Sequence, residues 1–200
     1  MQHWIDTTGG PMILLPKRLL PFWSGCFSVK SIEAGDLVDL EDGDEWNNPE
    51  TSDYAKVCTV CGNHKGQDIA FFEFQALQHL AITLWGDPKI LTTIVQESSQ
   101  KFFIVRNSNR DNGIQDLLVP EQLNRLAGWQ SNGILDLKER EYVLFDACAI
   151  HFYLDEEQKI ELSIEQGMYE VKTIYFDESR TNTFLGNADF YGIVHLLEKV

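Results

Sequence analysis

The chain has no apolar run approaching the roughly 18–20 residues that a membrane-spanning helix needs. Its N-terminus shows no basic segment followed by an apolar stretch and a small-residue cleavage site, so a cytoplasmic location is expected. Cysteine is scarce. Cys26, Cys58, Cys61 and Cys148 are too few and too scattered to frame a disulfide scaffold in 200 residues, which fits a reducing compartment. The chain also lacks G-x-S-x-G, G-x-x-x-x-G-K-(S/T) and a G-x-G-x-x-G after a strand, so no enzyme class has a motif to rest on. The five histidines (His3, His64, His79, His151 and His195) show no H-x-H or H-E-x-x-H spacing. Neither an internal repeat nor a low-complexity tract is evident.

Basic residues are the scarcest charged class. Sixteen Lys and Arg face 31 Asp and Glu, for a net charge of −15. Such a chain repels nucleic acid and anionic membranes at long range and attracts a basic partner, so neither nucleic acid nor membrane is expected as a ligand. Between Ser31 and Ala55 positive charge vanishes altogether. Glu33, Asp36, Asp39, Glu41, Asp42, Asp44, Glu45, Glu50 and Asp53 stand there without a Lys, Arg or His. Gly35, Gly43, Asn47, Asn48 and Pro49 interrupt the stretch, which predicts a long surface loop. Trp46 sits inside it, in D-G-D-E-W-N-N. A large aromatic ringed by charge is the composition of an interface anchor. Asp39, Glu41, Asp42, Asp44, Glu45 and Trp46 are therefore the candidate partner-binding residues.

What is present is β-rich. A hydrophobic fraction of 44% and an aromatic fraction of 12% predict a folded globule with a sizeable core. Met12 to Leu15, four apolar residues between Pro11 and Pro16, read as a short buried strand entered through the Gly9-Gly10-Pro11 turn. Pro16 to Trp23 read as a helical turn stopping at Gly25, and Cys26 to Ile32 as a strand. Ser52 or Asp53 caps a helix that Gly62 would end. Ile69 to Gln75, Leu80 to Trp85 and Lys101 to Arg106 are strand-like runs, Gly86-Asp87-Pro88 a turn, and Pro120 to Leu126 a helix stopped by Gly128. Tyr142 to Phe145, Lys159 to Ile164 and Met168 to Phe176 alternate apolar with polar residues, the mark of strands with one buried face. Gln166-Gly167 predicts that the last two of these form an antiparallel hairpin. Ile193 to Leu197 offers a closing strand. The expected fold is mostly β, with few short helices, antiparallel sheets and a β-sandwich-like C-terminal half. The whole of 1–200 is expected as one domain or two packed halves, mixed β/α over 1–130 and antiparallel β over 131–200.

Cys58-Thr-Val-Cys61, with His64 close behind, has the spacing of half a zinc site, but no second C-x-x-C exists to complete it. The expectation is a buried pair of free thiols and no metal. Asp146, Cys148 and His151 lie close along the chain, yet on a strand Asp146 and Cys148 would share one face and His151 the other. Trp4, Trp23 and Trp85 sit beside apolar residues and are expected in the core.

Trp4, Ile5, Gly9, Gly10, Pro11 and Pro16, then Trp23 and Gly25, form a pattern that resembles the opening of the Imm21 family of bacterial immunity proteins. Asp53-Tyr54 with Ala55 and Cys58 is similar to that family's D-Y-x-x-A-C segment. Leu84 to Pro88 with Thr92-Thr93, Leu144 to Ala147, and Gly167 to Val171 resemble three further blocks in the same order. Trp85, Lys89 and the C-x-x-C depart from the pattern. The resemblance implies an antidote that binds and neutralises a cognate toxin without catalysis or cofactor. A basic nuclease blocked at its active site would suit the acidic stretch. The competing expectations are a small-molecule or carbohydrate-binding β-domain with an aromatic stacking platform, and a hydrolase built on paired carboxylates.

Overall fold

The computed structural model describes residues 3–6, 11–27, 52–63, 69–82, 91–107, 118–150, 154–176 and 192–200. Among them are strands β1 (Trp4–Asp6), β2 (Met12–Pro16), β3 (Ile69–Phe74), β4 (Leu77–Ile82), β5 (Leu91–Ser98) and β6 (Lys101–Asn107). Then follow β7 (Gln130–Leu137), β8 (Glu141–Asp146), β9 (Lys159–Ser163), β10 (Gly167–Phe176) and β11 (Gly192–Lys199). A 3₁₀ segment covers Lys17–Phe22, and the helices are α1 (Asp53–Asn63) and the single turn α2 (Pro120–Leu123). The protein is mostly β, with antiparallel sheets and few short helices, as the alternation predicts.

The strands form two sheets, of order β1-β5-β6-β11-β10-β7 and β3-β4-β2-β8-β9. The chain divides into two compact units, each drawn from separated stretches. One comprises residues 1–7, 89–140 and 163–200, the other 8–88 and 141–162.

In the unit built on the five-stranded sheet, β2 is fully buried along its length and pairs with β4 on one side and β8 on the other. An uninterrupted apolar run is what a strand flanked on both edges and covered on both faces requires. Trp23 is the centre of this unit's core. Its ring meets Phe72, Phe74 and Phe145 edge-on at centroid distances of 6.2, 5.3 and 6.2 Å, and its Nε1 donates to the Ala147 carbonyl at 3.0 Å. Burial of an indole at 1% exposure is tolerable because that one polar hydrogen is satisfied.

In the other unit, Val95, Phe103, Val105, Ile174, Val194 and Leu196 present an apolar face to Leu118, Leu123, Leu126, Trp129 and the half-buried Trp4. The same sheet carries buried polar groups. The Thr173 hydroxyl and His195 Nδ1 lie 2.9 Å apart across the β10–β11 pair. Burial, reinforced by the Arg106 charge, pushes the His195 pKa well below its ordinary value.

One expectation fails. Lys159–Ser163 and Gly167–Phe176 do not form a hairpin: β9 belongs to the five-stranded sheet and β10 to the six-stranded one. The connection between them is tied down elsewhere. The Ile164 amide donates to the Arg140 carbonyl at 2.8 Å, the Glu165 amide to the Ser99 carbonyl at 2.7 Å, and the Tyr169 hydroxyl to the Glu165 carbonyl at 2.6 Å. Those bonds occupy the groups a hairpin turn would use, and Gly167 at φ +150° starts β10 afresh. The helix foreseen over 120–126 stops at Leu123, and α1 runs one residue past Gly62. The strand expected over 26–32 and the turn at 86–88 fall wholly or mostly outside the described residues, as does Trp85.

Candidate functional site

Asp39, Glu41, Asp42, Asp44, Glu45 and Trp46 lie outside the described residues. The described part is the frame on either side of them, where the chain leaves at Phe27 and returns at Ser52. That frame is built where several distant segments meet in the unit of the five-stranded sheet.

The 3₁₀ segment ends at Trp23, and the chain then runs through Ser24 and Gly25. Gly25 has φ +60°, and a Cβ there would lie 2.5 Å from the Cys148 carbonyl oxygen and 2.7 Å from that of Ala149. Only glycine permits both the left-handed turn and the close backbone approach. The Cys26 amide then donates to the Cys148 carbonyl at 3.0 Å. The 146–149 turn is itself fixed: the Cys148 amide donates to Asp146 Oδ1 at 2.9 Å, and the Ala147 amide to the Pro11 carbonyl at 2.8 Å. Asp146 and Cys148 thus sit in a tight Asx-type turn at the end of β8 rather than alternating along a strand. His151 is outside the described residues.

Ser24 and Asp53, 29 positions apart, are joined reciprocally. The Ser24 amide and hydroxyl both donate to Asp53 Oδ2 at 3.0 Å, and the Asp53 amide donates back to Ser24 Oγ at 3.1 Å. The Tyr54 amide donates to the Gly25 carbonyl at 3.0 Å. The other oxygen of Asp53 takes the Lys56 ammonium at 2.7 Å. Ser24 and Asp53 are 4% and 3% exposed, so these partners are what makes a buried carboxylate and hydroxyl tolerable. Helix capping is done by the neighbour: Ser52 Oγ accepts from the Ala55 amide at 3.0 Å. One of the nine acids in the 31–55 stretch is therefore spent inside the protein.

Along α1, the Tyr54 hydroxyl and the Cys58 thiol are hydrogen-bonded. Burial raises the Tyr54 pKa, and the neighbouring Cys58, Cys148 and Asp146 raise it further. The Cys58 thiol is pushed up by burial, against the opposing effect of the Tyr54 bond. Burial and the adjacent Cys58 push Cys61 up to about 12. Thiols held protonated at neutral pH are neither ready nucleophiles nor ready metal ligands. Both are free and half-buried. Among the described residues no group of three or more His, Cys, Asp or Glu could hold a metal ion. His64 lies outside them.

The described lysines are paired within the chain. Each described lysine meets a carboxylate, as in Lys17–Glu161, Lys101–Glu198, Lys138–Asp136, Lys159–Glu156, Lys172–Glu170 and Lys199–Glu165. The Glu161 carboxyl is pulled below its usual range by Lys17 first and Lys159 second. No helix among the described residues is long and apolar enough to cross a membrane.

The meeting of Ser24 with Asp53 escaped the sequence, because no spacing rule links two short polar residues across 29 positions. The segments do carry a mark in common. Pro11, Trp23, Gly25, Asp53, Tyr54 and Asp146, which bear the family resemblance, all fall in this junction. The sequence matches the family described as Immunity protein 21 over residues 3–182 of 200. The chain belongs to that family and is an immunity protein, whose role implies binding a cognate toxin protein. No curated protein and no solved structure matches it.

Proposed function

We propose that this immunity protein neutralises its toxin by direct binding, with Asp39, Glu41, Asp42, Asp44, Glu45 and Trp46 docking over a basic active-site cleft of a nuclease. The observation that carries the reading is where charge is left unbalanced. Each described lysine is already paired with a carboxylate of its own chain. Residues 28–51 set Glu33, Asp36, Asp39, Glu41, Asp42, Asp44, Glu45 and Glu50 against Lys30 alone. Closely spaced carboxylates can occupy a cleft made for phosphates, and opposite charge speeds encounter. Trp46 supplies the apolar anchor such a charged rim surrounds. The protein acts as a stoichiometric inhibitor in the cytoplasm, with no cofactor and no nucleic-acid ligand of its own.

The test is stopped-flow association with the cognate toxin domain. Replacing Glu41, Asp42, Asp44 and Glu45 by Lys is expected to slow association by roughly ten- to a thousandfold at low salt, the range spanned by electrostatic steering. The dependence of the rate on ionic strength should flatten as well. An unchanged rate and salt slope would remove this segment from the interface.

A further inference from the structure

β7 is an outermost strand of its sheet, and among the described residues it has a hydrogen-bonded neighbour, β10, on one side only. The direction of its peptide groups follows from the next pair along. The Val200 amide donates to the Met168 carbonyl, so the peptide groups of Met168 turn to β11. Those of Tyr169, one residue on, turn to β7, where Tyr169 stands opposite Leu135. The amide and carbonyl of Ile134, one residue before Leu135, therefore point away from the sheet. The Ile134 side chain is 42% exposed. It lies on the same face as Met168, 45% exposed, because Ile134 pairs with Glu170, two residues along from Met168.

The other outermost strands are blunted. β1 has three residues, β3 exposes only Glu73, and β9 exposes Ser163 and a Glu161 held by Lys17 and Lys159. Shortness and charge are the usual protection of a sheet edge, and the eight-residue β7 has neither at Ile134. Its open stretch is also bounded. At the start the register shifts opposite Val171 and Lys172, with Gly133 at φ +124°, and such a bulge fixes where pairing beyond it begins. Just past the end, the Lys138 carbonyl accepts from Gln166 Nε2. We propose that the Ile134–Leu137 edge is a strand-addition site, where an extended segment of the toxin pairs with β7 as a seventh strand. Main-chain bonds supply affinity in this mode, and a side chain lying beside Ile134 supplies selectivity. The family's role provides the protein partner. A second copy would bring −15 against −15, which long-range repulsion opposes, whereas a basic partner is drawn in. The contact rests on toxin binding alone and is additional to the acidic segment.

The experiment is residue-resolved amide hydrogen exchange by NMR on the full chain, alone and saturated with the cognate toxin domain, alongside the affinities of three variants. The Ile134 amide is expected to exchange roughly a hundredfold more slowly in the complex, whereas that of Leu135, turned to β10, is slow in both states. Ile134→Pro removes an outward-pointing amide hydrogen, a change that edge strands tolerate, and should raise Kd roughly tenfold. Ile134→Thr keeps the amide and a β-branched side chain and should raise it less. Leu123→Ala, a buried truncation in the cluster over β5 and β6, should melt lower yet bind as wild type does. An Ile134 amide equally fast in both states overturns the site. So does one already slow without toxin: at every concentration, the chain covers its own edge, and with rising concentration, a second copy does. Weakening by Leu123→Ala as large as that by Ile134→Pro assigns the proline effect to stability, and the proposal falls. Should Ile134→Pro fail to fold, the wild-type amide decides. A protected Ile134 amide together with an unchanged association rate in the quadruple lysine variant removes the acidic segment and leaves this edge; the reverse pair of results removes the edge alone.

Discussion

His79 shows how much one buried ring can govern. It is 1% exposed, lies 5.4 Å from Phe72 and 6.2 Å from Phe74 between ring centroids, and its Nε2 is 3.0 Å from the Phe74 carbonyl. A neutral ring donates there from Nε2. Burial pushes its pKa down to about 4, with the Arg18 charge adding to the shift and the Phe74 bond opposing it. The folded state thus binds the proton less readily than the unfolded chain. The ring's contribution to stability is present above about pH 6.5 and is lost as pH falls from there towards 4. Urea unfolding at pH 7 and pH 4 is expected to show a loss smaller by about 3 kcal/mol in His79→Leu than in wild type. Equal losses in both proteins would show that the imidazole is not the acid-sensitive group.

At the scale of elements, the β3–β4 hairpin turns through Gln75 at φ 52° and Ala76 at φ 59°. Both occupy left-handed backbone, where side chains other than glycine cost about 1–2 kcal/mol per residue. Two consecutive positive φ values suit a two-residue turn of the primed type, whose twist matches the flanking strands. The paired register from Phe74↔Leu77 to Ile69↔Ile82 holds the strain in place. Ala76→Gly is expected to raise stability by about 1 kcal/mol, read as a higher urea midpoint with an unchanged slope. A lower midpoint would mean that the alanine methyl packs productively.

The same scale shows what could be read from the sequence. Ile69 to Phe74 and Lys101 to Asn107 announce themselves because apolar and β-branched residues fill them. Leu91–Ser98 escapes, since Thr92 and Thr93 are both fully buried and break the apolar alternation. Gln130–Leu137 hides behind Ser131, Asn132 and Gly133, where the register shifts against Val171 and Lys172. Within the candidate site, the acidic composition of 31–55 is legible, and Ser52 as the cap follows from its residue type. That Asp53 would desert the surface for Ser24 does not follow, because the pairing depends on a glycine-only backbone approach made far away in sequence.

For the molecule as a whole, charge is the dominant variable. At −15 the folded chain repels itself, and added salt screens that repulsion over a Debye length of about 10 Å at 0.1 M. The same salt weakens the lysine–carboxylate pairs, but exposed pairs contribute only about 0–1 kcal/mol each. The melting temperature at pH 7 is therefore expected to rise by a few degrees between about 0.02 and about 0.3 M NaCl, followed by circular dichroism. A fall would show that the surface pairs outweigh the repulsion.

The six-stranded sheet places β11 between β6 and β10, in its interior. Both neighbours are synthesised earlier and have no hydrogen-bonded ladder to each other without it. While the ribosome still conceals Gly192–Lys199, β5 with β6 and β7 with β10 can exist merely as separate ribbons with exposed edges. Translation must advance past that point before the six-stranded sheet can close.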